Sequence, residues 1–195
     1  HLAYSRMQRL NNVDILIAVP GSGKTTFLLE KVVPAATANN MGVLWIDLKD
    51  TKDTLKYPEM PLSKLKKWLS KGIYRLKIID NKETLEQLTK YAYNCLIVFD
   101  DASGYFEGAI PLLLKQLLAN RRHLNQDIVF VYHSLNFVPP KLYQMANTLT
   151  IGKTNDAIDY KGPLSKVPNL PDVVKVWKTV QANPSKYYRQ TVRLQ

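Results

Sequence analysis

The residues best suited to chemistry lie at 18–26, AVPGSGKTT. Glycines at 21 and 23 let consecutive backbone N–H groups turn inward, and such a concave run of amides binds anionic oxygens. The run follows an apolar stretch at 13–18 (VDILIA) that reads as a buried strand, and it opens a helical pattern at 24–33. A helix N-terminus adds partial positive charge at the same place. Strand, glycine turn, then Lys-Thr at a helix start is the context that makes such a loop a P-loop. It predicts a phosphate cradle of Pro20, Gly21, Ser22, Gly23, Lys24, Thr25 and Thr26. In that cradle Lys24 reaches the β- and γ-phosphates of ATP, and Thr25 places its hydroxyl on Mg²⁺. Ala18 stands where the strict pattern has Gly, a change that asks little of the backbone.

A second acidic site follows. The apolar run at 96–100 (LIVFD) ends on Asp100, and Asp101 comes next. A strand-terminal carboxylate helps hold Mg²⁺ in P-loop enzymes. A second carboxylate can orient or deprotonate an attacking water, so the pair favours hydrolysis over transfer to a metabolite. Asp47, ending VLWID at 43–47, is a rival metal ligand; it ranks lower because Asp50 and Asp53 mark the start of a polar loop. His133 follows the strand pattern at 128–132 (IVFVY), where a polar side chain can sense the γ-phosphate. Arg121 and Arg122 end a helical pattern at 110–122. Either they answer the helix dipole, or one reaches across a subunit interface as an arginine finger that offsets charge on the transferred phosphoryl group.

Short apolar runs alternating with helical stretches position these groups, and they predict an α/β fold with a mostly parallel sheet. Strands are expected at 13–18, 43–47, 74–79, 96–100, 128–132 and 148–151. Helices are expected at 24–33, 62–70 (the basic LSKLKKWLS), 82–92 with Asn81 as cap, 110–122 and 140–146. After Lys153 the pattern weakens, and Pro163, Pro168, Pro171 and Pro184 predict an extended tail. The chain therefore divides into a P-loop ATPase domain at 7–156, with Met7 reading as a natural start, and a basic tail at 157–195 that packs on the core or on a neighbour.

Composition narrows the class. With 195 residues, 46% of them hydrophobic, the chain can bury one sizeable core. No apolar run approaches the roughly 20 residues of a membrane-spanning helix. The single cysteine, Cys95, sits in an apolar run and reads as a buried thiol in a reducing cytoplasm. A net charge of +11 points to a polyanionic partner, nucleic acid before an anionic membrane surface. The basic residues gather at 49–77 and in the tail from Lys161. Within the tail, Tyr187-Tyr188-Arg189 either stacks on bases or docks the tail on the core.

Taken in order, AVPGSGKTT, LIVFDDASGYF, LANRRHLNQDIVFVYHS and LYQMANTLTIGKTND resemble the FtsK–HerA superfamily of DNA-pumping ATPases over about residues 13–156. The sensor strand of that family usually ends in Gln, where this chain has His133. An Asn-Thr pair leads into its edge strand, as Asn147-Thr148 does here. The short length is most similar to the viral genome-packaging ATPases of tailless internal-membrane phages and archaeal viruses. That resemblance implies a RecA-like domain with core strand order 5-1-4-3-2 plus an extra strand. It also implies a homo-oligomeric ring, a pentamer or hexamer, that moves DNA into a preformed capsid, with contacts to a capsid vertex or to membrane-associated viral proteins. The setting it implies is the cytoplasm of an infected prokaryotic host, or the virion. The alternatives are a Zot-like phage assembly ATPase, a small-molecule P-loop kinase and a non-catalytic nucleotide-gated module.

Overall fold

The computed structural model describes residues 11–47, 52–77, 81–106, 108–158 and 160–195. Met7, Lys49, Asp50 and the last two positions of the predicted strand 74–79 lie outside the described residues. Among the described residues, runs rich in β-branched and aromatic residues form seven strands. These are β1 (Val13–Ile17), β2 (Gly42–Asp47), β3 (Ile73–Lys77), β4 (Cys95–Phe99), β5 (Gln126–Tyr132), β6 (Thr148–Ile151) and β7 (Gln190–Arg193). They make one sheet in the order β3-β2-β4-β5-β1-β6-β7. Every pairing is parallel except β6 with β7. The inner strands β6-β1-β5-β4-β2 give the expected 5-1-4-3-2 core, with β3 as the extra strand at one edge.

The helices are α1 (Lys24–Phe27), α2 (Val33–Ala38), α3 (Asn81–Tyr91), α4 (Leu112–Asn120), α5 (Pro140–Met145) and α6 (Leu170–Ala182). A π-helical turn, Leu28–Val32, joins α1 to α2. Pro34 follows it, and a residue without an N–H is accommodated where the regular ladder is already widened. Alternate strand residues point to opposite faces. Leu16, Val43, Trp45, Val98, Val129 and Val131 pack under Leu28, Val33 and Ala36. Ile15, Ile46, Phe99, Phe130 and Leu149 face Leu85, Leu114, Leu142 and Val173. Both faces are covered, so the central strands are apolar throughout.

At the N-terminal ends of the strands, asparagines do the turning. Asn11, Asn40, Asn94 and Asn125 lie just before β1, β2, β4 and β5, with φ of 49°, 57°, 47° and 54°. Asparagine tolerates this left-handed region better than other side-chain-bearing residues. Their side chains also bridge the strand entrances. Asn11 Nδ2 donates to Asn125 Oδ1 at 2.9 Å, Asn125 Nδ2 to Asn94 Oδ1 at 2.9 Å, and Asn94 Nδ2 to the Asn40 carbonyl at 2.9 Å.

Two expectations need correction. Residues 157–195 are not an extended tail: α6 packs beside β6 and β7, and β7 adds a seventh strand antiparallel to β6. Pro171 lies in the first turn of α6, where a proline's missing N–H costs nothing. The basic segment LSKLKKWLS is not an α-helix. It is a 3₁₀ helix at Leu62–Lys67 that ends where Trp68 turns extended. The Trp68 ring fills the space a side chain on Gly42 would occupy, and its Nε1 donates to the Lys71 carbonyl at 2.9 Å. Among the described residues no helix is long and apolar enough to cross a membrane.

Candidate functional site

The parallel register sets the site. Ile17 pairs with Tyr132, Phe99 with Phe130 and Ile46 with Phe99. The residues that follow these strands, Ala18, Asp100 and His133, therefore emerge together at the C-terminal edge, as does Asp47 at the end of β2. Ligands of open α/β sheets bind at this edge. A cleft of about 570 Å³ opens there, lined by Pro20, Gly21, Gly23, Lys24, Thr25, Thr26, Asp47, Asp53, Asp100, Asp101, His133 and Tyr187.

The loop after β1 is held by its own backbone and its neighbour. Val19 N donates to the Lys153 carbonyl at 2.7 Å, and Ser22 Oγ donates to the Val19 carbonyl at 2.7 Å. Ser22 is thus a buried brace of the cradle. Gly21 and Gly23 sit at φ 73° and 75°, where a side chain is strained. Ala18 is accommodated by a second glycine: a Cβ on Gly152 would lie 2.8 Å from the Ala18 Cβ. The residue that replaces the motif's first glycine therefore packs into room left by another.

Lys24 is buried, with Nζ donating to the Ala18 carbonyl at 2.6 Å and the Val19 carbonyl at 3.0 Å. Nζ also lies 3.0 Å from His133 Nδ1. An ammonium only donates, so Nδ1 accepts and the ring proton sits on Nε2. Nε2 lies 3.3 Å from Asp101 Oδ1, and a relay Lys24–His133–Asp101 results. Burial lowers the Lys24 pKa to about 8, opposed by Asp100 and Asp101 and assisted by Arg189.

Asp100 accepts from Trp45 Nε1 at 3.3 Å. Its carboxyl is pushed up to about 6, by burial first and then by Asp47. A carboxylate crowded this way gains most from a cation. Asp100, with Asp47 beside it and the Thr25 hydroxyl in the same cleft, forms the hard-oxygen set that suits Mg²⁺. Asp47 therefore belongs to the site more closely than its sequence rank implied. Thr54 Oγ1 donates to it at 3.0 Å, so Thr54 lies at the tip of β2.

Asp101 has φ 52° and ψ 52° and precedes a short 3₁₀ turn, accepting from Ser103 Oγ at 2.9 Å. A non-glycine residue held in this region marks a place where geometry outweighs local comfort.

Arg121 and Arg122 are not brought to this cleft. Arg121 caps α4 at the N-terminal edge, donating to the Asn11 carbonyl at 2.8 Å and the Leu118 carbonyl at 2.6 Å. Arg122 is exposed beside it. Both lie at the opposite edge of the sheet from the P-loop.

The residues that sequence reasoning left out of the site are Asp53, which lines the cleft, and Tyr187 and Arg189. Arg189 Nη2 donates to the Ser22 carbonyl at 3.1 Å and Nη1 to the Gly23 carbonyl at 3.3 Å, and its guanidinium lies 4.7 Å from the Phe27 ring centroid. Tyr187 lines the cleft itself. The only available signal for Tyr187 and Arg189 was the cluster of two tyrosines and an arginine.

No protein-family model and no curated protein matches the sequence. Solved structures do match in fold. The genome packaging NTPase B204 from Sulfolobus turreted icosahedral virus 2 in complex with AMP superposes with a TM-score of 0.75 at 15% identity, covering 94% of this chain and 93% of that one. The same protein in complex with ATP-gammaS gives 0.71 at 14% identity, covering 94% and 92%. B204, the DNA-packaging ATPase from Sulfolobus Turreted Icosahedral Virus, gives 0.73 at 14% identity, covering 96% and 94%. The chain thus has the P-loop NTPase fold of these packaging proteins, a mostly parallel sheet with helices on both faces.

Proposed function

We propose that this protein is an Mg²⁺-dependent ATPase that drives DNA translocation in viral genome packaging. One observation carries the reading: Lys24, Asp100, Asp101 and His133, from three separate stretches of sequence, line one cleft beside the phosphate-binding loop. The solved structures of matching fold are named as packaging NTPases and were obtained with AMP and ATP-gammaS.

In this reading the amides of residues 21–26 hold the phosphates. Lys24 leaves the Ala18 and Val19 carbonyls to meet the β- and γ-oxygens. Thr25 and Asp100, with Asp47 near, would hold Mg²⁺, which would supply positive charge against the charge that develops on the transferred phosphoryl group. Asp101 orients and deprotonates the attacking water. His133, released at Nδ1 when Lys24 turns to the nucleotide, reports the γ-phosphate state. The chain works as a homo-oligomeric ring in an infected prokaryotic cell, docking at a capsid vertex. Exposed lysines such as Lys64, Lys66 and Lys67 supply sequence-independent contacts to DNA phosphates. The arginine finger acts in trans, and Arg122 is its better candidate, since the Arg121 guanidinium already holds two carbonyls.

The test is phosphate release with and without duplex DNA. DNA-stimulated turnover that falls steeply with salt supports the reading; turnover that needs a metabolite acceptor, or ATP binding with no turnover, overturns it. Mixing two inactive variants, Lys24→Ala and Arg122→Ala, should restore partial activity at sites that pair an intact P-loop with an intact arginine. No recovery removes Arg122 from the role.

A further inference from the structure

The triphosphate cradle has two sides, set by strand order. On the β5 and β4 side of β1 stand Asp100, Asp101 and His133, the groups suited to the γ-phosphate end. On the other side stand β6 and β7, and the chain entering β7 crosses beside the loop. Tyr187 lines the same cleft as Asp100, Asp101 and His133 but enters it from the β6 and β7 side of β1. A nucleotide lying along this cradle therefore directs its base toward residues 185–189.

An aromatic ring waits there. Arg189 fixes the segment by donating to the Ser22 and Gly23 carbonyls, and its Nε donates to the Tyr187 carbonyl at 3.2 Å. Tyr187 N donates to Ser185 Oγ at 3.3 Å. The Tyr187 ring comes so near Gly23 that a Cβ there would lie 3.3 Å from its Cδ1. The ring lines the cleft, with Lys186 Nζ 4.9 Å from its centroid, yet remains 56% exposed. A large aromatic held in place by its neighbours and left open to solvent loses little conformational entropy when it receives a flat ligand.

We infer that Tyr187 is the platform on which the nucleotide's base stacks. The inference rests on the P-loop reading above but concerns a different end of the ligand. Stacking reads the face of a base rather than its edge, so ATP and GTP should bind alike.

The test compares a ligand with a base and one without. Kd values for AMPPCP and for inorganic tripolyphosphate, both with Mg²⁺, are measured by calorimetry on the wild-type chain, Tyr187→Ala and Tyr187→Phe. The expected result is an AMPPCP affinity about tenfold weaker for Tyr187→Ala, with tripolyphosphate affinity unchanged and Tyr187→Phe close to wild type. Equal losses for both ligands, or none for either, overturn the platform and leave the P-loop reading standing. A wild-type chain that binds neither ligand overturns both.

Discussion

The two edges of the sheet are built on opposite terms. At the N-terminal edge side chains mainly brace the backbone: four asparagines turn the chain into four strands and join one another across them. The C-terminal edge gathers Lys24, Asp47, Asp53, Asp100, Asp101 and His133 into one cleft. There the Lys24 pKa falls to about 8 while that of Asp100 rises to about 6, burial being the larger cause of both. The first edge spends its polar groups on holding strands in register. The second keeps charges in a place that penalises them, and that cost is recovered only when a ligand of complementary charge arrives. Stability and function are thus assigned to different ends of the same strands, and substitutions at the two ends should separate them.

The largest separation is expected at Lys24. Lys24→Met should weaken nucleotide binding about 100-fold or more, as expected for loss of a charged donor aimed at phosphate. Burial lowers its pKa to about 8 in the folded chain, so at pH 7 the ammonium persists but costs more there than in the unfolded chain, and its removal should leave the melting temperature equal or higher. Calorimetric binding and thermal melts on the same samples check both halves; a clear fall in melting temperature would show that Lys24 braces the fold. Next is Asp101→Asn. Asparagine keeps the left-handed conformation, so binding should persist while hydrolysis drops about 10²- to 10⁴-fold. Unchanged single-turnover rates would take Asp101 out of the chemistry.

The uneven legibility of the sequence follows the same division. The P-loop could be read because its chemistry is local: glycines, lysine and threonine act within one turn of the chain. Asp100 and His133 could be read because the residue that follows each parallel strand emerges at the C-terminal edge of the sheet. The core strand order followed from the resemblance, while the apolar runs, which need cover on both faces, indicated only a mostly parallel sheet. What stayed hidden depends on the chain returning from far away. Arg189 meets Ser22 only because β7 pairs with β6, and a four-residue strand gives almost no periodic signal. Pro171 read as a breaker because its place in the first turn of α6 depends on where that helix starts. Trp68 had helical spacing but is claimed by the space above Gly42. The asparagines before the strands look like ordinary turn residues until their mutual bonds are seen.

At the N-terminal edge the expectation reverses. Asn94→Ala places alanine at φ 47° and removes two side-chain bonds, one to Asn40 and one from Asn125. The left-handed strain costs about 1 kcal/mol and each lost bond about 1 kcal/mol, so unfolding stability should drop by about 2–3 kcal/mol in denaturant titrations. Nucleotide affinity and turnover below the melting range should not change. A catalytic defect without a stability defect would break the comparison.

The finest test uses a carboxylate near the quiet edge. Asp14, on β1, accepts from Thr148 Oγ1 at 2.6 Å, yet burial pushes its pKa up to about 6, with Asp127 adding to the rise. The folded chain therefore holds this proton more tightly than the unfolded chain, whose value is near 3.8. Below about pH 4 both states are protonated and Asp14 costs nothing. As pH rises through 6 the folded state must accept a buried charge, and stability falls. Asp14→Asn should remove that fall, gaining on the order of 1 kcal/mol at pH 7.5 after solvent screening is allowed for, and nothing at pH 4. Asp100→Asn should show the same relief, since its carboxyl is raised to about 6 as well. Only Asp100→Asn should also lose Mg²⁺-dependent turnover. If both variants gained stability above pH 6 and both kept turnover, the strained charge at the C-terminal edge would have no function to explain it, and the division between the two edges would fail.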